Sequence, residues 1–192
     1  YVQGSISGSG TNVTATFTNT MHELINIDFT KTWVDANDNP LKDGLPKEIY
    51  VQLQRRKTGS ETWQPVRYPD ANTEYVTVTP NSKGWNCAFT NLDKFDVNDD
   101  AKTNYEYRIV EGKVDDEGNF TEVKPNETIT IKGDTYGVTA KAKAEISDGD
   151  STKVTQATAT DGTITGDSGT IVLTNTLQNP KFVLDIIKKD AE

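Results

Sequence analysis

Short apolar runs alternate with polar residues and are interrupted every few positions by Gly, Asn, Asp or Pro, and this pattern constrains the chain more than any other feature. Over 24–33, Ile25, Ile27, Phe29, Lys31 and Trp33 fall on every second position. Successive side chains of a strand point to opposite faces, so such a run places one set on a buried sheet face. Comparable runs recur at 49–53, 75–79, 85–89, 105–111, 128–131 and 170–176, with a weaker one over 138–146. No stretch has the spacing of a long amphipathic helix. The chain is therefore predicted to be all-β, built of many short strands. Only 33% of residues are hydrophobic, but their ordered placement argues against disorder.

Charge and rare residues remove whole classes of function. A net charge of -9 opposes nucleic acid, whose phosphates require a basic patch, and opposes an anionic membrane surface equally. The most apolar run, 182–187, is too short to insert in a membrane and is broken by Asp185. One cysteine, Cys87, excludes an intrachain disulfide and a Cys-based zinc site, and one histidine, His22, removes most catalytic triads. Asp35-Ala36-Asn37-Asp38-Asn39 alternates oxygen-bearing side chains as a calcium loop does. Pro40 stands where that loop needs glycine, however, and no closing Glu follows. Residues 96–100 are equally incomplete, and turn chemistry accounts for both segments. The prediction is no metal and no cofactor. No signal peptide is visible, so the chain reads as a mature secreted fragment, and a β-rich secreted protein without disulfides fits a Gram-positive surface.

A short repeat organises the chain. Residues 13–20 read Val-Thr-Ala-Thr-Phe-Thr-Asn-Thr and residues 169–176 read Gly-Thr-Ile-Val-Leu-Thr-Asn-Thr. After Pro180 a strand pattern restarts with Phe182, Leu184, Ile186 and Lys188 on one face. The division that follows is 1–20 as the tail strand of a preceding repeat, 21–178 as a complete domain, and 181–192 as the first strand of a following repeat. The alternative is one larger sandwich that absorbs both ends. Within 21–178 the first strand should lie beside the last, and the polar, small-residue segment 133–168 should project as an inserted hairpin or loop.

Three polar residues occupy positions where alternation predicts apolar ones. Lys31 lies between Phe29 and Trp33, Glu111 continues the face of Tyr107 and Ile109, and Asn175 continues that of Ile171 and Leu173. A lone buried ion is too costly to keep, so these residues either reach solvent at strand ends or meet one another. If they meet, an apolar setting favours the neutral, nucleophilic form of the amine and the protonated form of the carboxyl. The amine could then attack the Asn amide, expel ammonia and leave an isopeptide bond, with Glu111 moving the protons.

Several ordered motifs carry a resemblance. They are Lys31-Thr32-Trp33-Val34-Asp35, then the run from Pro46 through Ile49 and Val51 to Leu53, then Trp85, Phe89 and Leu92. Tyr107-Arg108-Ile109-Val110-Glu111 and the closing Thr174-Asn175-Thr176 complete the set. Together they resemble the Cna B-type (CnaB) repeats of Gram-positive surface adhesins and pilins. The resemblance implies an Ig-like CnaB β-sandwich with an isopeptide cross-link between Lys31 and Asn175, promoted by Glu111. It further implies a structural stalk module, not an enzyme, on a cell-wall-anchored surface protein, with neighbouring repeats as partners. Asn19 and Lys188 match the acceptor and donor of such repeats, but neither has its own Glu strand here, so no bond is expected at either. The span from Glu111 to Asn175 is longer than usual, which implies an insertion. An adhesin module that binds host surface protein or glycan is the competing reading.

Overall fold

The computed structural model describes residues 2–9, 12–19, 22–67, 73–147, 154–159 and 162–178. In chain order the strands are β1 (Val2–Ser9), β2 (Asn12–Asn19), β3 (Leu24–Val34), β4 (Ile49–Lys57), β5 (Gln64–Pro65), β6 (Val76–Val78) and β7 (Trp85–Asp93). They continue with β8 (Tyr105–Val114), β9 (Phe120–Val123), β10 (Thr128–Ile131), β11 (Asp134–Ser147), β12 (Val154–Ala159), β13 (Ile164–Thr165) and β14 (Gly169–Leu177). The described chain is all-β. β1 and β2 form a two-stranded sheet of their own. One six-stranded sheet runs β10-β11-β14-β3-β7 with β12 added to β11; the other runs β13-β8-β4-β5 with β6 on β4 and β9 on β8.

Alternation in the sequence becomes alternation in burial. In β3 every second residue from Ile25 to Trp33 is buried, and in β14 every second residue from Gly169 to Asn175. Ile27, Phe29, Ile171 and Leu173 meet Val51, Leu53, Tyr107 and Ile109 of the facing sheet in one apolar core. The phase of β3 against β7 is kept by a bulge: the register shifts between Ile25 and Ile27, with Leu92 opposite the first and Phe89 opposite the second. Asn91 takes a φ of 57° there, and its backbone N–H donates to Asn26 Oδ1 at 3.1 Å. The extra residue lets Leu92 and Phe89 both face the core.

β3 and β14, the first and last strands of the sandwich, are neighbours as the sequence predicts, and they run parallel. Lys31 stands opposite Leu173, and Asn175 opposite Trp33. The other strand pairs are antiparallel, so β3–β14 joins the two ends of the domain side by side.

The expected insertion needs correcting. Residues 134–142 do not project, because β11 lies between β10 and β14, and Tyr136, Val138, Ala140 and Ala142 are core residues. The far end of β11 pairs with β12 from Ala142↔Ala159 to Ser147↔Val154. The chain re-enters the sandwich closely: a Cβ on Gly162, whose φ is +73°, would stand 2.5 Å from the Ala140 Cβ.

Candidate functional site

Lys31, Glu111 and Asn175 meet inside the sandwich. Strand phase places Lys31 on the core face of β3, between Phe29 and Trp33, and Asn175 on the same face of β14. The parallel register sets Asn175 two residues beyond the partner of Lys31, close enough for the long lysine side chain to reach it. Glu111 comes from the opposite sheet, held at the centre of β8 with Val51 on one side and Val123 on the other. All three are buried, at 3%, 1% and 0% exposure.

The geometry is that of a closed triangle. Lys31 Nζ donates to Asn175 Oδ1 at 2.5 Å and to Glu111 Oε2 at 2.8 Å. Asn175 Nδ2 donates to Glu111 Oε1 at 3.3 Å. One carbonyl bond separates Oδ1 from Cγ, so the amide carbon is at most about 3.7 Å from the amine. Near-attack distances are about 3–3.5 Å.

The lysine is poised for deprotonation. Burial pushes its amine down to about 8, against the opposing pull of the Glu111 carboxylate and its hydrogen bond. Nζ lies 5.1 Å from the centre of the Trp33 ring, which packs edge-on against Trp85 and Tyr136 at 5.9 and 5.2 Å. These rings close the site from water, where a buried ion pair gains little unless it is well hydrogen-bonded. The arrangement offers a nucleophile, an electrophilic amide carbon and a carboxyl that touches both reacting nitrogens.

The remaining expectations fall elsewhere. Asn19 ends β2 opposite Val2, and Lys188 lies outside the described residues. Among the described residues no group of three His, Cys, Asp or Glu side chains could hold a metal. Asp35 Oδ1 accepts the backbone N–H groups of Asn37 and Asn39 at 2.8 and 2.9 Å, which is turn chemistry. Asp115 repeats that turn with Glu117 and Asn119, and Gly118 takes the positive φ that Asp38 takes in the first. In the other incomplete loop, Asp96 accepts from the Asn98 N–H and pairs with Lys57 at 2.6 Å. Cys87 is half-buried against the core, and burial pushes its thiol up to about 12.

Sequence reasoning passed over the aromatic lid. Tyr136 falls within the 133–168 segment expected to project, although its two-residue spacing from Val138 and Ala140 is a signal for a core face. It also passed over a polar ladder on the outer face of the second sheet. There Gln54 Nε2 donates to Gln52 Oε1 and to Glu122 Oε2, both at 2.7 Å, and Arg108 Nε donates to Gln54 Oε1 at 2.8 Å.

The model of the Cna protein B-type domain matches residues 27–139. No curated protein matches the chain. Among solved structures, the major pilin protein (T3.2) from Streptococcus pyogenes aligns with a TM-score of 0.37 and 11% identity. That alignment covers 91% of this chain and 58% of that one.

Proposed function

We propose that this chain, which belongs to the Cna protein B-type domain family, is a structural module of a Gram-positive cell-surface adhesin or pilus protein that cross-links itself. The observation behind this reading is the buried contact of Lys31 Nζ with Asn175 Oδ1 and Glu111 Oε2. Glu111 takes a proton from the lysine ammonium, and the neutral amine adds to the Asn175 amide carbon. The carboxyl gives that proton to Asn175 Nδ2, which it already touches, the C–N bond breaks, and the attacking nitrogen passes its surplus proton to the Glu111 carboxylate. One amide bond forms, one breaks, and one ammonia leaves. The buried ammonium–carboxylate pair is thereby replaced by a neutral amide beside a neutral acid, which removes the cost of keeping two ions out of water. The reaction turns over once, and its driving advantage is the proximity that folding creates.

Intact-mass spectrometry tests this. The chain should weigh one ammonia less than its sequence, and Lys31→Ala and Glu111→Ala should each show the full mass of the variant. Fragmentation should recover a branched peptide that joins Lys31 to Asn175. A parent chain at full sequence mass would refute the cross-link.

Recognition of host protein or glycan has one observation in its favour. Tyr50, Tyr75 and Phe120 cluster at ring distances of 5.7 and 5.8 Å, only partly buried. Partly exposed aromatic groups of this kind serve as contact anchors. The stalk reading has a complete reaction geometry behind it and is preferred.

A further inference from the structure

The outer face of the first sheet is built of hydroxyls. With Lys31, Trp33 and Asn175 facing inward, Thr30, Thr32, Thr174 and Thr176 face outward and are partly buried. Thr139 of β11 pairs with Thr174, and Thr174 with Thr32, so one row of hydroxyls crosses three neighbouring strands. Thr32 and Thr174 share a hydrogen bond at 2.8 Å, which fixes two members of the row. The row lines a cleft of about 1150 Å³, which loop 38–41 and the 124–126 segment also line.

The cleft draws its charge from separate parts of the chain. Lys83 before β7, Arg108 on β8, Lys124 after β9 and Lys141 on β11 line it, against one carboxylate, Asp38. Four cations and one acid leave a local excess of positive charge in a chain whose net charge is -9. Arg108 and Lys124 also face Glu122, at 3.6 and 3.9 Å, whereas Lys83 and Lys141 are exposed and open to an anion. Charge complementarity therefore calls for an anionic occupant. A threonine hydroxyl both donates and accepts, which suits a partner that carries hydroxyls itself. An extended peptide is served less well. β11, β14 and β3 are paired on both sides, so the face offers no backbone edge for a strand to join. We propose that this cleft binds an acidic saccharide chain, with its carboxylates or sulfates at Lys83 and Lys141 and its ring hydroxyls on the threonine row. The proposal rests on the glycan-recognition reading, to which it gives a site and a ligand chemistry, and is independent of the cross-link.

The probes are a hyaluronan octasaccharide, a chondroitin 4-sulfate octasaccharide and a neutral chitin hexasaccharide, each titrated into the isotope-labelled full chain. Acidic saccharide should shift the amides of residues 30–32, 139–141 and 174–176, and the neutral chain should not. Binding of both acidic chains would assign recognition to the carboxylates they share, and binding of the sulfated one alone to its sulfates; either upholds the site. Lys83→Ala combined with Lys141→Ala should weaken binding about fivefold or more. Rising ionic strength should weaken it as well. Thr139→Val, which leaves the charge unchanged, should weaken it about threefold. Equal shifts from the neutral chain, or from a polyglutamate peptide of matched charge, would overturn the proposal. Shifts centred on Tyr50, Tyr75 and Phe120 would sink this site and leave glycan recognition standing, and no shifts from any saccharide would sink both.

Discussion

Lys31 is buried as completely as the leucines around it, and its chemistry follows from that placement. A lysine in water holds its proton far above neutral pH, but here loss of solvent brings the amine down to about 8 with Glu111 still opposing the shift. The reactive state is a neutral amine beside a protonated Glu111, and it holds the same single proton as the ammonium–carboxylate pair. The two forms are tautomers, so their ratio does not depend on pH while the pair keeps that proton. Above about 8 the proton is lost, and with it the acid that must protonate the departing nitrogen. Ammonia loss should therefore slow as pH rises past that value, by about tenfold per unit once well above it. The check is to assemble the chain chemically in denaturant, refold it across a pH series and follow intact mass with time. A rate that climbs through 8 and then levels off would show that deprotonation of the amine alone is enough and that Glu111 moves no proton.

Glu111 is aimed by its strand, and Gly112 is what lets β9 close over that strand. A Cβ at position 112 would stand 2.3 Å from Phe120 Cζ and 2.5 Å from the Thr121 carbonyl oxygen, and the second of these is backbone. Gly112→Ala should force β8 and β9 apart, cost about 1–3 kcal/mol in urea denaturation and slow ammonia loss. A cost below about 0.5 kcal/mol would mean that the Phe120 ring swings aside and the strands hold. Strands of this sandwich were readable where large apolar residues alternate: β3, β8 and β14 carry Ile, Phe, Tyr and Leu inward, so Lys31, Glu111 and Asn175 stood out as polar exceptions. β11 was misjudged because its inward positions include Ala140 and Ala142, which fill a narrow space and give little hydrophobic signal. β5 and β13 are two residues each, too short for any period to show. The Gln52–Gln54 ladder was hidden for a different reason: Val51 and Leu53 mark the inner face, and nothing local reveals that the outer face is also covered. The meeting of the three site residues required the parallel pairing of β3 with β14, a contact across 144 positions that no local pattern encodes.

At the scale of the whole molecule, the bond would join the strand that enters the sandwich to the strand that leaves it. By the chain-entropy account used for disulfides, closing a loop of 144 positions restricts the unfolded chain by about 5 kcal/mol. The mechanical consequence is larger than the thermodynamic one. A load applied ahead of Lys31 and beyond Asn175 would pass through the side-chain amide, and the polypeptide between them would bear none of it. Tension would also run along β3 and β14, which lie side by side and parallel, so that without the bond their hydrogen bonds would be sheared together. Asn175→Ala keeps the Lys31–Glu111 pair and removes only the electrophile, which makes it the cleanest comparison. With handles at positions 23 and 178, single-molecule pulling of the parent chain should show no release of length up to rupture of the tether. The same pull on Asn175→Ala should release about 500 Å in one event, since 144 residues extend by roughly 3.3–3.6 Å each. A parent chain that releases the same length as the variant would show that β3 and β14 are held by hydrogen bonds alone, and that the module resists force no better than an uncross-linked sandwich.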